Sequence, residues 1–388
     1  MNAAFTTAEL QELLGRPIRA TIGPAERASF RDRRVVVTGA GGSIGAELAR
    51  ELAACRPAVL GLVDHSELAL FALERELGER FPGVTLDVAL ADVTRAPAIA
   101  RVCREVQPDV VYHAAAYKHV TMAERAPAAA ALVNVVGTVE TASAAARVGA
   151  RFVLISSDKA ADPLSVMGAT KRLAEMAVLD MASPAFRPVV VRFGNVLGSS
   201  GSVLQIMRDA VRRGAPIPIT DPLATRFFMT AAEAVALVLR ADLLGAAAEI
   251  FWLEVGRPIG MGTLAERMLA LEARAGYPRV PVQVIGLRPG EKRTEVLADP
   301  ALIFDRTIDR RIRVARQPSL DGRRALVGQP GSPGLAETIR AIRRATTRAN
   351  DLATLEALAG MPGGFTPSRM ATDLARRVPA CARRRAAA

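Results

Sequence analysis

A glycine-rich turn near the start of the chain places the strongest constraint on the fold. The stretch VVVTGAGGSIGAELAREL ends an apolar strand, turns on glycines and opens a helix. Gly39, Gly42 and Gly45 have a spacing that lets backbone N–H groups approach a pyrophosphate, with the positive end of a helix beneath it. We therefore predict a dinucleotide-binding unit, with Ser43 and Ile44 also among the cofactor contacts. A glycine-rich turn without a ligand is the alternative.

An acidic residue follows at the end of the second predicted strand. Asp64 lies about 20 residues beyond the turn, where a carboxylate holds the adenosine ribose 2′-OH. A carboxylate there repels a 2′-phosphate, so we predict NAD rather than NADP, although His65 beside it weakens that preference. Further predicted cofactor contacts follow the third and fourth strands: Asp92, Val93, Ala114 and Ala115. For Asp92 the alternative is an N-cap of the next helix.

The pattern of the chain predicts an α/β fold. From residue 33 onward, short apolar runs alternate with longer amphipathic stretches. Near-continuously apolar strands that alternate with helices are typical of a doubly wound parallel sheet, as in Rossmann domains. Glycine and proline become more frequent after residue 195, which predicts a smaller substrate-binding lobe. The expected segments are a linker or helix (1–32), an NAD-binding domain (33–195), a substrate-binding lobe with returning sheet elements (196–330) and peripheral helices with a tail (331–388).

Composition narrows the classes of partner and the compartment. The net charge is +12, but few aromatic residues lie among the basic ones for base stacking, so we do not expect nucleic-acid binding. No apolar run approaches the roughly 18 residues of a membrane-spanning helix, and the N-terminus lacks the pattern of a signal peptide. The three cysteines lie far apart, which predicts neither a disulfide framework nor a zinc site. We expect a cytoplasmic protein without a membrane span or a metal.

Lysine is rare in this chain. Of the 51 basic residues only four are lysine: Lys118, Lys159, Lys171 and Lys292. Arginine serves wherever a generic positive charge suffices, so each lysine favours a role that needs a compact amine with an adjustable pKa. Chance is the alternative for any single one.

Seven motifs occur in order: TGAGGSIG, HAAAYKHV, NVVGT, SSDKAADPLSVMGATKR, RFGNVLGSSGSV, TRFFMT and LRPGEK. Together they resemble the extended short-chain dehydrogenase/reductases of the CapD-like polysaccharide-biosynthesis group, which are nucleotide-sugar 4,6-dehydratases that typically act on UDP-N-acetylglucosamine. The resemblance runs from about residue 10 to 330. Many such relatives carry an N-terminal membrane module. We expect this chain to correspond to the soluble catalytic half, with ELLGR (12–16) as the linker, and family habit implies a homo-oligomer.

The resemblance implies a reaction and the residues that perform it. NAD+ oxidises the sugar at C4, a base removes the C5 proton, water leaves from C6 and the hydride returns to C6. Asp158 would be the acid at the C6 oxygen and Lys159 the neutral base at C5. Lys171 would bind the nicotinamide ribose, and Ser157 would contact the C4 hydroxyl. A surface Asp–Lys pair that caps a turn is the alternative.

Met167 departs from the usual short-chain pattern. It stands where other members have the tyrosine of a Tyr-x-x-x-Lys pair. A thioether cannot carry a proton, so we expect Met167 to pack beside the nicotinamide and the C4 proton to leave through Ser157 toward Lys171. The missing tyrosine argues against a C4 epimerase. C5 inversion alongside dehydration stays open, and a catalytically silent NAD-binding regulator is the rival of another class.

Predicted substrate contacts lie on loops at the far end of the strands. Lys118 and His119 would face both the cofactor and the sugar diphosphate, or else begin a helix. The loop GNVLGSSGSV resembles the segment that holds the diphosphate and the nucleoside, which implies contacts from Asn195, Ser200 and Val203.

The last predicted contacts come from two motifs in the second half. Arg226 and Arg288 are implied to bind phosphate, with Glu291 holding Arg288 and meeting the ribose. Asn134 is expected to bond main-chain groups of the fourth strand, and Lys292 has no predicted role.

Overall fold

The alternation of strands and helices predicted from the sequence is present in the structure. The computed structural model describes residues 5–199, 201–246, 248–254, 256–295, 303–315 and 334–376, and the structural statements below concern these residues. Two short helices come first, α1 (Thr7–Leu14) and α2 (Pro24–Ala28). Six parallel strands follow: β1 (Arg34–Thr38), β2 (Val59–Asp64), β3 (Thr85–Leu90), β4 (Val110–His113), β5 (Arg151–Ile155) and β6 (Pro188–Arg192).

Helices connect these strands and cover both faces of the sheet. Single helices follow the first three strands, and longer helical runs follow β4 and β5. They are α3 (Ser43–Ala54), α4 (Glu67–Arg80), α5 (Ala96–Val106), α6 (Val120–Arg125), α7 (Pro127–Ala131), a π-helical turn (Leu132–Gly137), α8 (Thr138–Arg147), a 3-10 turn (Asp158–Ala160) and α9 (Val166–Asp180).

The strand order places a crevice at the end of β1. β1 pairs in parallel with β2 on one side and β4 on the other, so that Thr38 lies opposite both Val63 and His113. Ligands of doubly wound sheets bind where the strand order reverses in this way. The predicted fold class is confirmed, and its binding edge is the carboxyl end of β1, β4 and β5.

The sheet continues beyond β6 with strands from the second half of the chain. β11 (Glu249–Leu253) adds in parallel to β6, and two antiparallel strands close the edge, β15 (Ile312–Ala315) and β14 (Phe304–Arg306). In the described residues the order is β14-β15-β11-β6-β5-β4-β1-β2-β3.

A smaller lobe lies over the carboxyl edge of the sheet. It contains three two-stranded pairs, β7 with β10, β8 with β13 and β9 with β12. α10 and α12 pack together beside them, whereas α11 packs against α3. The bounds are β7 (Asn195–Leu197), α10 (Val203–Arg212), β8 (Ile217–Ile219), β9 (Thr225–Arg226), β10 (Phe228–Thr230), α11 (Ala231–Leu244), β12 (Ile259–Gly260), α12 (Met261–Arg274) and β13 (Val282–Val284).

The segment read from the sequence as a linker is part of the smaller lobe's core. Leu13 and Leu14 of α1 are buried in the apolar cluster formed by α10 and α12. After α1 ends, Arg16 makes an ion pair with the buried carboxylate of Glu233 and donates to the carbonyl of Phe228 at 3.0 Å. The start of the N-terminal segment is therefore attached to the smaller lobe, whereas Ile22 and Phe30 are buried in the core of the dinucleotide domain.

The C-terminal helices cover the helices that follow β4 and β5. α13 (Leu335–Thr347), α14 (Asp351–Ala359) and α15 (Arg369–Arg376) share an apolar cluster with α7, the π-helical turn and α9. The helical run Pro127–Arg147 is long and apolar enough to cross a membrane by length and composition, and 67% of its most apolar window is buried inside the fold. Such burial is typical of a core helix.

The packing of α1 gives a testable prediction. Leu13→Ala removes a fully buried side chain and should lower the free energy of unfolding by about 2–4 kcal/mol. Leu68→Ala, at a residue 79% exposed, is the matched control and should change it by about 0.5 kcal/mol or less. Equal effects in urea titrations would show that α1 does not contribute to the core.

Candidate active site

The glycine-rich turn brings three backbone segments into contact. Gly39 has φ +68°, and a Cβ on it would lie 2.5 Å from the amide nitrogen of Ala115. A Cβ on Gly45 would lie 2.0 Å from the carbonyl oxygen of Gly39, and Gly42 is the N-cap of α3. Side chains cannot be placed at the first two positions without moving the backbone. The turn therefore fits a ligand that contacts main-chain N–H groups, with Ser43 and Ile44 in the first turn of α3.

Asp64 closes this turn from the neighbouring strand. Its buried carboxylate accepts from the N–H groups of Gly41 and Ser66, both at 2.9 Å. Gly41 did not figure in the predicted contacts, yet a Cβ on it would lie 2.5 Å from that of Ala69. His65 is largely exposed, with its Nδ1 3.3 Å from Asp64 Oδ1. The predicted acid at the end of β2 thus lies beside the turn.

The other predicted cofactor residues lie along the same edge. Asp92 accepts from the N–H of Thr94 at 2.8 Å, and the N-cap of α5 is Arg95. The alternative role as a helix N-cap is therefore wrong, since Asp92 caps only the turn before the helix. Val93 is buried, and Ala114 and Ala115 directly follow β4.

A compact acid–base cluster lies where β5 ends. Ser157 is the N-cap of the 3-10 turn, and its hydroxyl donates to Asp158 Oδ1 at 2.8 Å. Lys159 Nζ donates to the same oxygen at 3.0 Å and to Asn195 Oδ1 at 3.3 Å. The three consecutive residues that the sequence singled out are therefore brought together with Asn195 of the smaller lobe.

Buried polar atoms without partners mark the place of a ligand. Asp158 is 1% exposed, and its Oδ2 has no hydrogen-bond partner among the described residues. The same is true of Asn195 Nδ2 and of Ser202 Oγ at the N-terminus of α10. Such atoms are rare in folded proteins because they cost free energy. All three lie on predicted substrate-side segments, so the arrangement fits a polar ligand there.

Lys159 has a carboxylate neighbour that the sequence analysis missed. Glu295 Oε1 lies 3.3 Å from Lys159 Nζ. Burial lowers the pKa of Lys159, but the carboxylates of Asp158 and Glu295 outweigh it and hold that pKa above the ordinary value. The expectation of a neutral Lys159 is therefore wrong for the chain without ligand. Glu295 follows the LRPGEK motif by a few residues, and no local pattern pointed to it.

Lys171 is buried one helical turn beyond Met167 on α9. Its Nζ donates to the carbonyl of Ile155 at 2.9 Å, and burial lowers its pKa to about 8 against the opposing effect of Glu175. A second buried pair lies next to it, because Arg192 on β6 donates to both oxygens of Glu175. The adjustable pKa predicted for a lysine is thus found at Lys171.

His113 at the end of β4 is held neutral. Burial and Lys171 lower its pKa to about 3. The Thr138 hydroxyl donates to the carbonyl of Asn134 at 2.7 Å, so it accepts from His113 Nε2 at 3.0 Å, and Thr38 lies 2.7 Å from Nδ1. This network fixes the imidazole ring beneath the crevice.

Met167 packs in the core, and Asn134 forms hydrogen bonds with the main chain. Met167 is buried in the cluster shared with the C-terminal helices, and Ser165 caps its helix by accepting from Gly168 N–H at 3.1 Å. The side chain of Asn134 accepts from the N–H of Tyr117 and donates to its carbonyl. The predicted main-chain bonds of Asn134 are confirmed, although the partner lies in the loop after β4.

Lys118 and His119 lie in the exposed loop after β4. Partial burial lowers the pKa of the Lys118 amine, and His119 is the N-cap of α6 without a side-chain capping bond. A Cβ on Gly201 would lie 2.9 Å from His119 Cε1. The loop therefore meets the glycine-rich segment that leads to Val203, the first residue of α10. Ser200 lies outside the described residues.

Of the two predicted phosphate ligands, Arg226 is engaged by the protein itself through its side chain. Arg226 donates to the carbonyls of Lys292 and Arg293, and its Nε lies 3.4 Å from Glu295 Oε1. Glu291 accepts from the main-chain N–H of Arg288 at 3.0 Å. Glu291 was expected to hold Arg288, and it does so through the Arg288 main-chain N–H, a bond that caps the turn.

Lys292, which had no predicted role, links the two lobes. Its ammonium contacts the carboxylate of Asp162 at 2.8 Å and the carbonyl of the same residue. This contact places the end of the LRPGEK motif against the loop that follows Lys159. Across the described ranges, no group of three or more His, Cys, Asp or Glu side chains is arranged to hold a metal ion.

The parallel sheet, the glycine turn and the strand-end cluster define an extended short-chain dehydrogenase/reductase. The chain belongs to the family described as "Polysaccharide biosynthesis protein", whose profile matches residues 35–314. The probable polysaccharide biosynthesis protein EpsC of Bacillus subtilis is 39% identical over 319 residues, which are 80% of this chain and 52% of EpsC. The chain thus spans about half the length of that relative.

Other relatives are named for two different reactions. The UDP-N-acetylglucosamine 4,6-dehydratase (inverting) of Campylobacter jejuni is 29% identical over 69% of this chain and 78% of its own. A UDP-glucose 4-epimerase of Rickettsia canadensis is 32% identical over the same shares. Among solved structures, Pen from Bacillus thuringiensis superposes with a TM-score of 0.69 at 28% identity, covering 75% of this chain and 90% of that one.

The buried Lys171 makes a prediction about stability and pH. Its pKa falls from 10.5 in the unfolded chain to about 8 in the fold, so the unfolded state binds the proton more tightly and stability rises between these two pH values. Relative to Lys171→Met, the wild-type chain should gain about 3 kcal/mol of unfolding free energy over that interval. Parallel stability curves for the two proteins in urea would contradict a buried, perturbed amine.

Proposed function

We propose that the chain is an NAD-dependent UDP-N-acetylhexosamine 4,6-dehydratase, with UDP-N-acetylglucosamine as its substrate and a UDP-4-keto-6-deoxy sugar as its product. The observation that carries the proposal is the contact between Asp158 and Lys159 at the carboxyl end of β5. Asp158 is buried with one free carboxylate oxygen. An elimination needs an acid and a base next to each other, and this pair supplies both.

The turn after β1 fits a dinucleotide. The crowding at Gly39 and Gly45 leaves main-chain N–H groups as the contacts for a pyrophosphate, and Asp64 lies where a ribose 2′-OH would be bound. Lys171 would hold the nicotinamide ribose. When bound, NAD+ supplies hydride acceptance from C4 and hydride return to C6.

Lys159 can pass its proton directly to Asp158, without a solvent molecule between them. In the chain without ligand Lys159 is an ammonium beside Asp158, and the 3.0 Å bond between them is a path for one proton. Transfer from Lys159 to Asp158 yields a neutral amine and a carboxylic acid together. Lys159 then takes the C5 proton and Asp158 gives its proton to the departing C6 oxygen. At the end of the reaction the Lys159 ammonium returns a proton to C5, and the proton released from the C4 hydroxyl replaces the one that left with water, which restores the starting ion pair.

The C4 hydroxyl needs a different proton acceptor. Met167 cannot serve, and Ser157 is the hydroxyl next to the pair. Burial lowers the pKa of the Lys171 amine to about 8, so a neutral fraction that can take a proton grows as the pH rises toward and above that value. We propose a relay from the C4 hydroxyl through Ser157 toward Lys171.

A nucleotide-sugar epimerase is the second candidate, and the Rickettsia relative is the observation that favours it. The Asp158–Lys159 pair supports dehydration over C4 epimerisation, which uses a tyrosine at the position of Met167. The relative from Campylobacter jejuni, named as an inverting dehydratase, supports C5 inversion alongside dehydration. A role in surface polysaccharide biosynthesis agrees with the family description.

The dinucleotide site gives one prediction. Gly45→Ala places a methyl group against the Gly39 carbonyl, so NAD+ affinity measured by calorimetry should fall at least about tenfold, or about 1.4 kcal/mol. Gly78→Ala, in α4 with no atom within 4 Å of its added Cβ, is the matched control and should bind NAD+ like the wild type. Equal affinities would argue against a dinucleotide at this turn.

Product analysis tests the reaction itself. Incubated with UDP-N-acetylglucosamine in heavy water, the protein should form a 4-keto-6-deoxy sugar with deuterium at C5. Asp158→Asn should slow this about 10²–10⁴-fold, whereas Glu105→Gln, at an exposed surface pair on α5, should not. A 4-epimer without water loss would favour the epimerase, and no reaction would overturn the proposal for this substrate.

A further inference from the structure

We propose that Glu295 is a positioning residue for Lys159: it holds the ammonium against Asp158 and keeps the proton on the lysine until the segment that carries Glu295 moves. The inference rests on the proposed function for its catalytic meaning. Its electrostatic part concerns only the folded chain and can be tested without any substrate.

The geometry around Lys159 is that of an ammonium site. A lysine ammonium has three N–H donors, and three acceptor oxygens surround Nζ: Asp158 Oδ1 at 3.0 Å, Glu295 Oε1 at 3.3 Å and Asn195 Oδ1 at 3.3 Å. A neutral amine would leave one of these acceptors without a donor. The carboxylate of Glu295 therefore completes a site that selects the protonated lysine.

Glu295 is itself buried and shared with one other cation. Its side chain is 3% exposed, and the same Oε1 lies 3.4 Å from Arg226 Nε. A buried carboxylate is costly unless it is paired, so Glu295 requires Lys159, Arg226 or both. The charged groups that face Lys159 in the described residues are thus Asp158 and Glu295, which favour the ammonium, and Arg226, which opposes it.

The position of Glu295 is fixed by both lobes through residues 292–295, which we call the strap. Arg226 donates to two strap carbonyls, and Thr225 N–H donates to the carbonyl of Arg293 at 2.9 Å. The side chain of Lys292, the first strap residue, ties the strap to the dinucleotide domain by its contact with Asp162. Any displacement of the strap therefore changes the distance between Glu295 and Lys159.

This arrangement couples strap position to the proton on the base. Removal of the C5 proton requires neutral Lys159, and the proton leaves most directly to Asp158 across their shared bond. Glu295 opposes that transfer while it stays within contact of Nζ. Glu295 thus holds the pair in its charged form while it stays in contact with Nζ, and loss of that contact would favour the neutral base.

Because the chain has four lysines, the titration of each lysine amine can be followed separately. Reductive ¹³C-methylation gives few lysine methyl signals, which single Lys→Arg variants assign, and NMR then follows each amine against pH. In Glu295→Gln the pKa of Lys159 should fall by about one unit or more, while the Lys171 signal stays in place as an internal reference. Because the proposed reaction starts from a pair that shares one proton, the alkaline limb of the pH–turnover profile, where that proton is lost to solvent, should move to lower pH by the same amount.

A matched control uses the second carboxylate–lysine pair of the strap. Asp162→Asn removes the partner of Lys292 and should leave the titration of Lys159 unchanged, whereas a shift as large as that in Glu295→Gln would show that the effect is not specific to Glu295. If Glu295→Gln does not fold by circular dichroism, Glu295→Asp withdraws the carboxylate by one methylene and should lower the Lys159 pKa by a smaller amount.

The lysine titration tests the role of Glu295, and the turnover measurements test the proposed function, so the two can fail separately. An unchanged Lys159 titration in the folded Glu295 variants would overturn the role of Glu295. A shifted titration supports it even if UDP-N-acetylglucosamine is not converted, in which case only the proposed function fails. A shifted titration together with an unmoved pH–turnover profile would overturn the link to catalysis.

Discussion

The parallel register of β1, β4, β5 and β6 is the constraint on which the site depends. Thr38 is paired with His113, and His113 with Leu154, so these strands end side by side. The N–H of Asp158 then donates to the carbonyl of Phe193 beyond β6. Because backbone hydrogen bonds fix these ends, the glycine turn and the acid–base pair lie on one rigid edge and need no loop closure to meet.

The parts of the structure that local patterns specify were predictable. The alternating apolar runs predicted the sheet, and the glycine spacing together with Asp64 predicted the binding crevice. Both features depend only on residues within one strand–turn–helix unit. The Asp158–Lys159 pair was predictable for the same reason, because adjacent residues at a strand end face the same edge.

What could not be predicted are the contacts between distant parts of the chain. The charge of Lys159 depends on Glu295, and the role of Lys292 depends on Asp162. Neither partner has a local pattern, because the strap is held in the smaller lobe by its main-chain carbonyl bonds to Arg226 and reaches the dinucleotide domain only through its side chains. Likewise the ELLGR segment reads as a linker until the smaller lobe provides the apolar cluster that buries Leu13.

The scarcity of lysine has a practical consequence for anyone who attaches this protein to a surface. Most positive charges are guanidinium groups, which do not react with succinimidyl esters, and the exposed amine nearest the crevice belongs to Lys118. Coupling at Lys118 would therefore tether the chain by the loop that meets the glycine-rich segment before α10, beside the entry to the crevice. Immobilisation chemistry directed elsewhere, such as an added affinity tag, would leave that entry open.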